Sequence, residues 1–114
     1  MDNKQKLKSN RDFRKTYDKG RSFANKYLVI FFVKNNLENN RIGIAVTKKI
    51  GKSVVRNKIR RRIREAYRLN SGKVKQGYDI IFLSRANAKE VGYNEIESAL
   101  LHLLKLAGLL KKGD

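Results

Sequence analysis

A cluster of nine lysines and arginines lies between residues 48 and 64, with no acidic residue until Glu65. It carries half of the formal net charge of +18. At about 100° per residue, a helix over this stretch places four apolar side chains on one face: Val55, Ile59, Ile63 and Ala66. The opposite face receives Asn57, Arg60, Arg61, Arg64 and Arg68. The pattern predicts an amphipathic helix, capped by Ser53 and ending near Asn70, that is anchored on one side and presents the other.

The segments before this helix predict a short helix and several strands. Ser9 followed by Asp12 is typical of a helix start and Gly20 of a helix end, so residues 10–19 are predicted to be helical, with Phe13 and Tyr17 on one face. The unbroken apolar run over residues 27–33 predicts a strand covered on both sides. Residues 41–47 alternate, with Ile42, Ile44 and Val46 on a core face and Gly43, Ala45 and Thr47 on a shallow one.

The segments after the basic helix predict one more strand, over residues 78–83, and a closing helix. Asn94 with Glu97 indicates the start of that helix, and its apolar stripe is Ile96, Leu100, Leu103, Leu104 and Ala107. The predicted fold is an α+β or α/β two-layer sandwich with a small mixed four-stranded sheet. Its element order is α-β-β-β-α-β-α, with a β-α-β crossover around the basic helix, and residues 1–114 form one domain.

The overall charge indicates a polyanionic partner. The 28 basic residues face only 10 acidic ones, a balance that strains the folded state by self-repulsion unless nucleic acid or an anionic membrane neutralises it. A hydrophobic fraction of 40% is too high for a disordered basic tail. The absence of an apolar run of about 18 residues, of a signal peptide and of cysteine leads us to expect a cytoplasmic protein.

The arrangement of charges favours nucleic acid over a merely solvated helix face. Arg60 with Arg64, and Arg64 with Arg68, are like-charge pairs that each cost about 0.2–0.5 kcal/mol. Three cations, Lys52, Arg56 and Lys58, also crowd the helix N-terminus, where a phosphate would relieve the conflict with the helix dipole and Gly51 would allow a close approach. A membrane-surface helix is less favoured, because the apolar face is needed for the core. Charge alone leaves RNA and DNA both open.

The other chemistry-bearing residues point away from catalysis by the protein. Four aromatic residues could stack unpaired bases, although core packing is the commoner role for such side chains: Phe13, Tyr17, Tyr27 and Phe31. His102, the only histidine, lies in an apolar helix and is expected to be structural. The acidic residues are scattered without the spacing of a metal cluster, so we predict no catalytic residue and no metal ligand in the chain.

The segment TKKIGKSVVRNKIRRRIREAYR, residues 47–68, resembles the signature of the bacterial ribonuclease P protein family. The match consists of a Lys-Lys pair, a glycine, Arg-Asn and alternating basic and apolar residues. Lys58 departs from the arginine typical of the family, which keeps the charge but not the bidentate phosphate geometry. The earlier segment SNRDFRKTYDKGRSFANKYLVIFF resembles the first helix and strand of the family, so the likeness extends over essentially the whole chain.

The resemblance implies a subunit of a ribonucleoprotein that cleaves precursor tRNA to give the mature 5′ end. The catalytic RNA would hold the Mg²⁺ ions, and the protein would bind no cofactor or small-molecule substrate of its own. The implied RNA-binding residues are Lys48, Lys49, Lys52, Arg56, Asn57, Lys58, Arg60, Arg61, Arg64 and Arg68. A cleft for the 5′ leader of the substrate would be lined by Phe13, Tyr17, Val29 and Phe31, with Lys48 and Lys49 near its edge. The family also implies an unusual left-handed crossover around the basic helix.

Two other functions remain open at this point. A structural RNA-binding protein of the ribosomal type would have similar size and charge, and would co-purify with ribosomal subunits. A metal-dependent nuclease acting alone would cleave RNA without an RNA partner.

Overall fold

A computed structural model describes residues 3–112 of the chain. Three α-helices and four strands follow one another in the predicted order α-β-β-β-α-β-α, and short 3-10 turns precede α1 and fill the connections from β3 through α3. They are α1 (Asn10–Lys19), β1 (Arg21–Ala24), β2 (Leu28–Lys34), β3 (Arg41–Ala45), α2 (Ser53–Asn70), β4 (Tyr78–Ser84) and α3 (Tyr93–Leu106). Within residues 3–112, none of the helices combines the length and the hydrophobicity of a transmembrane span.

The four strands form one mixed sheet in the order β1-β2-β4-β3. The β1–β2 and β2–β4 pairs are antiparallel, whereas β3 and β4 are parallel with Ile42 opposite Ile80. Parallel neighbours need a crossover connection, which α2 provides. The predicted mixed sheet and the β-α-β unit around the basic helix are therefore confirmed.

One face of the sheet forms the main core with α2 and α3. Alternate residues of β2 (Leu28, Ile30 and Phe32) pair across the sheet with Ser84, Phe82 and Ile80 of β4 and are almost completely buried. The stripes of α2 and α3 cover them, because apolar residues at helical spacing lie on one side of each helix. The buried apolar members on the two helices are Ile59, Ile63, Ala66, Tyr67, Ile96, Ala99, Leu100, Leu103 and Leu104.

The opposite face of the sheet is covered in part by α1. Gly43 of β3, on the face predicted to be shallow, lies directly under Phe13, since a Cβ atom added there would come within 2.5 Å of the Phe13 Cζ. Thr16 of α1 and Ile81 of β4 are fully buried, while Val29 and Leu83 remain half-exposed. The missing side chain at Gly43 therefore lets α1 approach one part of this face, while Val29 and Leu83 stay partly accessible elsewhere on it.

Two of the predicted helix starts are wrong by one or two residues. The helix α1 begins as predicted, with Ser9 Oγ accepting a hydrogen bond from the Asp12 amide. In contrast, Lys52 and not Ser53 is the N-cap of α2, and it makes no side-chain capping bond. The N-cap of α3 is Gly92 instead of Asn94, and the Gly92 amide donates to the Glu95 carboxylate at 3.2 Å.

Candidate nucleic-acid interface

The basic helix α2 is anchored and exposed on the sides that its sequence predicts. Ile59, Ile63 and Ala66 are at most 1% exposed, and Val55 is half-buried beside them. The polar face includes five exposed side chains: Asn57, Lys58, Arg61, Arg64 and Arg68. Lys48, Lys49 and Lys52, in the turn that leads into the helix, are also exposed. The structure therefore brings eight of the ten predicted RNA-binding residues to the surface around one helix.

The other two predicted residues, Arg56 and Arg60, are half-buried and bonded to the protein. Arg60 Nη1 donates to Asn57 Oδ1 at 2.9 Å and its Nη2 lies 3.5 Å from the Val46 carbonyl oxygen. Arg56 Nε donates to the Gly51 carbonyl at 3.1 Å. These bonds hold each guanidinium against the turn before the helix, so both are less available to a ligand than the periodicity alone suggests.

Two further residues of α2 modify the charge that the helix presents. Arg62, which lies outside the predicted set, donates from Nη1 to the Val91 carbonyl at 2.8 Å and so ties α2 to the segment before α3. Glu65 forms a two-fold hydrogen-bonded ion pair with Arg68. The bond from Arg68 holds the pKa of the Glu65 carboxyl below its ordinary value. Arg68 is therefore partly neutralised, whereas Arg61 and Arg64 have no recorded acidic partner within residues 3–112.

The N-terminal turn of α2 has the features that favour an anion. Its N-cap, Lys52, is exposed and makes no side-chain bond to the first amide groups, and Lys58 adds a second exposed cation in the next turn. Gly51 is extended (φ 160°), a conformation open to any residue, and an added Cβ atom would contact Val55 at 3.3 Å. Helix amide groups together with cationic side chains suit a phosphate oxygen.

Three of the four predicted cleft residues, Phe13, Tyr17 and Phe31, lie together between α1 and the sheet. The rings of Phe13 and Tyr17 are 6.4 Å apart, and Tyr17 meets Phe31 edge-on at 4.8 Å. Val29 lies two residues before Phe31 and so faces the same side of β2. Tyr17 is 38% exposed, and partial burial raises the pKa of its hydroxyl above the ordinary value. Tyr27, the fourth aromatic candidate, packs against the main core instead, with the Lys26 ammonium 5.6 Å from its ring centre.

An ion-pair network that the sequence reading missed holds α1 over the sheet. The Arg41 guanidinium donates to both carboxylate oxygens of Asp79, at 2.8 and 2.7 Å, and its Nη1 lies 3.2 Å from Asp12 of α1. Hydrogen bonding to Asp79, which is 2% exposed, raises the pKa of Arg41. An acidic residue at the start of the apolar strand β4 was the available signal, because a buried carboxylate needs a cationic partner.

The described residues offer little for metal or acid–base chemistry. In the range 3–112, no three histidine or acidic side chains group closely enough to hold a metal ion. His102 is exposed on α3, and its Nδ1 lies 3.1 Å from the Asn25 amide nitrogen. That amide also donates to the Ala99 carbonyl, so the contact joins α3 to the turn before β2.

Comparisons with known proteins agree with this geometry. The family model described as "Ribonuclease P" matches residues 1–108. The ribonuclease P protein component of Alkaliphilus metalliredigens is 56% identical over 110 residues, which cover 96% of this chain and 99% of that protein. The solved RNase P protein of Staphylococcus aureus is 37% identical with a TM-score of 0.87, over 94% of this chain and 98% of that one.

A second solved structure, the RNase P protein of Thermotoga maritima, is also 37% identical, with a TM-score of 0.82 over 89% of this chain and 96% of that one. The sequence and structural likeness thus both extend over nearly the full length of the chain and its relatives. The chain belongs to the ribonuclease P protein family, whose members are the protein component of a tRNA-processing endoribonuclease.

Proposed function

We propose that this protein binds the catalytic RNA of ribonuclease P and the 5′ leader of precursor tRNA, and that it promotes endonucleolytic removal of the leader. The observation that carries the proposal is the exposed cationic face of α2, on the same small domain as the aromatic cluster between α1 and the sheet. Family membership favours this function over a ribosomal role. The absence of a metal-binding cluster in residues 3–112 gives no support to a nuclease acting alone.

The two parts of the surface would have different partners. The α2 face and the turn before it would bind the catalytic RNA through Lys48, Lys49, Lys52, Arg56, Asn57, Lys58, Arg60, Arg61, Arg64 and Arg68. Arginine and lysine contacts to phosphates release counterions and make affinity dependent on salt. The cleft formed by Phe13, Tyr17, Val29 and Phe31 would take unpaired leader nucleotides, whose bases stack on aromatic rings.

The protein would act by binding and orienting the substrate, and the RNA subunit would hold the Mg²⁺ ions that supply the cleavage chemistry. Cationic side chains reduce the repulsion between two RNA molecules, so less Mg²⁺ is needed for them to associate. Mature tRNA has no leader and cannot make these contacts, so they would favour binding of the substrate over the product. With these partners the protein would act in the cytoplasm.

The direct test is cleavage of precursor tRNA at low Mg²⁺ by the cognate catalytic RNA, with and without the protein. Stimulation that requires both components is the expected result. Cleavage by the protein alone would contradict the assignment of catalysis to RNA, and no stimulation would favour the ribosomal alternative.

Matched variants separate the two surfaces. Arg61→Ala and Lys105→Ala each remove one exposed helical cation, but only Arg61 lies on the α2 face. We expect Arg61→Ala to weaken binding to the catalytic RNA and to lower the slope of log Kd against log salt by about one, while Lys105→Ala leaves both unchanged. Tyr17→Ala should instead reduce the preference for leader-bearing over leaderless tRNA, since base stacking contributes about 1–3 kcal/mol per base.

A further inference from the structure

A second aromatic groove lies at the end of the sheet, away from the α2 face. Its volume is about 380 Å³, and its floor is formed by Phe32, Tyr78, Ala107 and Leu109. Its rim carries three exposed cations: Lys19, Arg21 and Lys34. None of these residues belongs to the predicted RNA-binding face or to the leader cleft.

The floor of this groove is aromatic and partly open. Phe32 is 6% exposed and stacks on Phe23 with a 13° angle between rings whose centres are 6.2 Å apart. Tyr78 meets Phe32 edge-on at 6.3 Å and is only half-buried, so part of its ring faces the groove. The Arg21 guanidinium lies over both phenylalanines, at 5.6 and 6.0 Å from their centres. A flat ligand placed here would contact an aromatic ring and a cation together.

The charges of the groove define its occupant. No acidic residue lines it, and none of the three rim cations takes part in an ion pair recorded for residues 3–112. The three rim cations repel one another, and a bound anion would relieve this repulsion. A nucleotide supplies both parts of the complement, a planar base for the aromatic floor and a phosphate for the rim.

The groove lies close to one end of the leader cleft. Phe31 faces the cleft and the next residue of β2, Phe32, faces the groove, because successive side chains of a strand point to opposite faces. On α1, Tyr17 of the cleft is followed two residues later by Lys19 of the rim. Lys19 ends α1 and Lys34 ends β2, so the two elements that carry Tyr17 and Phe31 of the cleft both end at the rim of the groove.

We propose that this groove binds an unpaired nucleotide of the 5′ leader upstream of those held in the cleft, with its base against Tyr78 and its phosphate near Arg21 and Lys34. The inference rests on the proposed leader binding and extends its path. It predicts that leader affinity increases in two steps as the leader lengthens, first when the cleft is filled and again when the groove is reached.

The test measures Kd of the holoenzyme for precursor tRNAs with leaders of increasing length. Arg21→Ala and Lys34→Ala should remove the second increase and leave the affinity for short leaders unchanged. Lys26→Ala is the matched control, because Lys26 is also an exposed cation lying 5.6 Å from an aromatic ring centre, but at the opposite end of β2. Each groove variant should also lower the salt slope for long leaders by about one, which a purely structural defect would not do.

A second variant and a competitor make the outcomes distinct. Tyr78→Leu keeps apolar volume but loses the ring, and it should weaken long-leader binding about fivefold or more, as expected for a lost base stack. If all leaders bind with equal affinity, the proposed leader cleft itself is wrong. If the second increase is absent, or persists in Arg21→Ala and Lys34→Ala, the groove assignment alone is overturned. Equal competition by poly-glutamate and by an oligonucleotide would also overturn it, because the groove would then recognise charge without a base.

Discussion

Replacing Gly43 with alanine is expected to disturb the leader cleft from underneath the helix that forms it. The new Cβ atom would lie 2.5 Å from Cζ and 2.8 Å from Cε1 of the Phe13 ring. Carbon atoms in van der Waals contact lie about 3.5–4.0 Å apart, so the ring has to retreat by roughly 1 Å. Phe13 touches Tyr17, which in turn packs on Phe31, and the displacement therefore reaches the whole aromatic cluster.

The size of the effect depends on whether α1 can move away from the sheet. Arg41 ties α1 to the sheet through Asp12 and Asp79, which opposes a movement of the whole helix. Overpacking of this kind costs about 1–3 kcal/mol in the free energy of unfolding. A misplacement of about 1 Å is also large for a binding site, so the preference for leader-bearing tRNA should fall.

Two measurements on Gly43→Ala check this expectation: urea unfolding of the protein, and Kd of the holoenzyme for leader-bearing and leaderless tRNA. The control is Gly72→Ala, since Gly72 is exposed and an added Cβ atom meets nothing within 4 Å. We expect the control to be neutral or slightly stabilising in unfolding and normal in binding. If Gly43→Ala matches the wild type in both measurements, Phe13 does not depend on the bare backbone of β3 and our account of the cleft is refuted.

Three further predictions concern the core, the ion pair and a buried phenol. Ile63→Ala removes a fully buried side chain of α2 and should lower the free energy of unfolding by about 2–5 kcal/mol in urea titration. Asp79→Ala leaves the Arg41 guanidinium without its main hydrogen-bond acceptor and should lower the free energy of unfolding by about 3 kcal/mol. A double-mutant cycle with Arg41→Met measures the coupling, and strictly additive effects would contradict it. Burial raises the pKa of the Tyr67 hydroxyl above the ordinary tyrosine value. The stability that the neutral phenol contributes is therefore complete below the ordinary pKa and is lost as pH rises through the raised pKa. Tyr67→Phe should flatten this decline in the free energy of unfolding at alkaline pH.

Local patterns were enough to predict the elements because their causes are local. Ser9 caps α1 three residues from its hydrogen-bond donor, and Ile59 and Ile63 follow the helical repeat of α2. The wrong start of α2 also has a local cause. Ser53 Oγ accepts a hydrogen bond from Arg56 Nη2 at 3.1 Å, so the hydroxyl binds a side chain of the first turn instead of a backbone amide.

The wrong start of α3 has a long-range cause. The spacing predicts Glu97 as the partner of Asn94 at the helix start, but its carboxylate accepts hydrogen bonds from Asn70 of α2 and from the Tyr93 hydroxyl, both at 3.0 Å. Glu95 then pairs with the Gly92 amide. Such a choice depends on which helix packs alongside, and spacing within α3 does not contain that information.

In the candidate site, too, the features with local causes were predictable from the sequence and those with long-range causes were not. The exposure of Arg61 and Arg64 follows from helical periodicity, whereas the half-burial of Arg60 depends on the Val46 carbonyl of a preceding loop. The aromatic cleft could be predicted only from the family resemblance, because the contact between Tyr17 and Phe31 joins two separate elements, α1 and β2. Neither the strand order β1-β2-β4-β3 nor the ion pair of Arg41 with Asp79 has a signature within one segment.

The position of β4 in the sheet has a consequence for how the protein is made. It is the last strand to leave the ribosome, yet it is the inner strand that pairs with both β2 and β3. A nascent chain that ends before Tyr78 already contains the basic helix but lacks β4, so β2 and β3 cannot yet join into one sheet. Since contacts between distant segments form slowly, the nascent protein carries its most cationic segment without a completed scaffold until residue 84 has emerged.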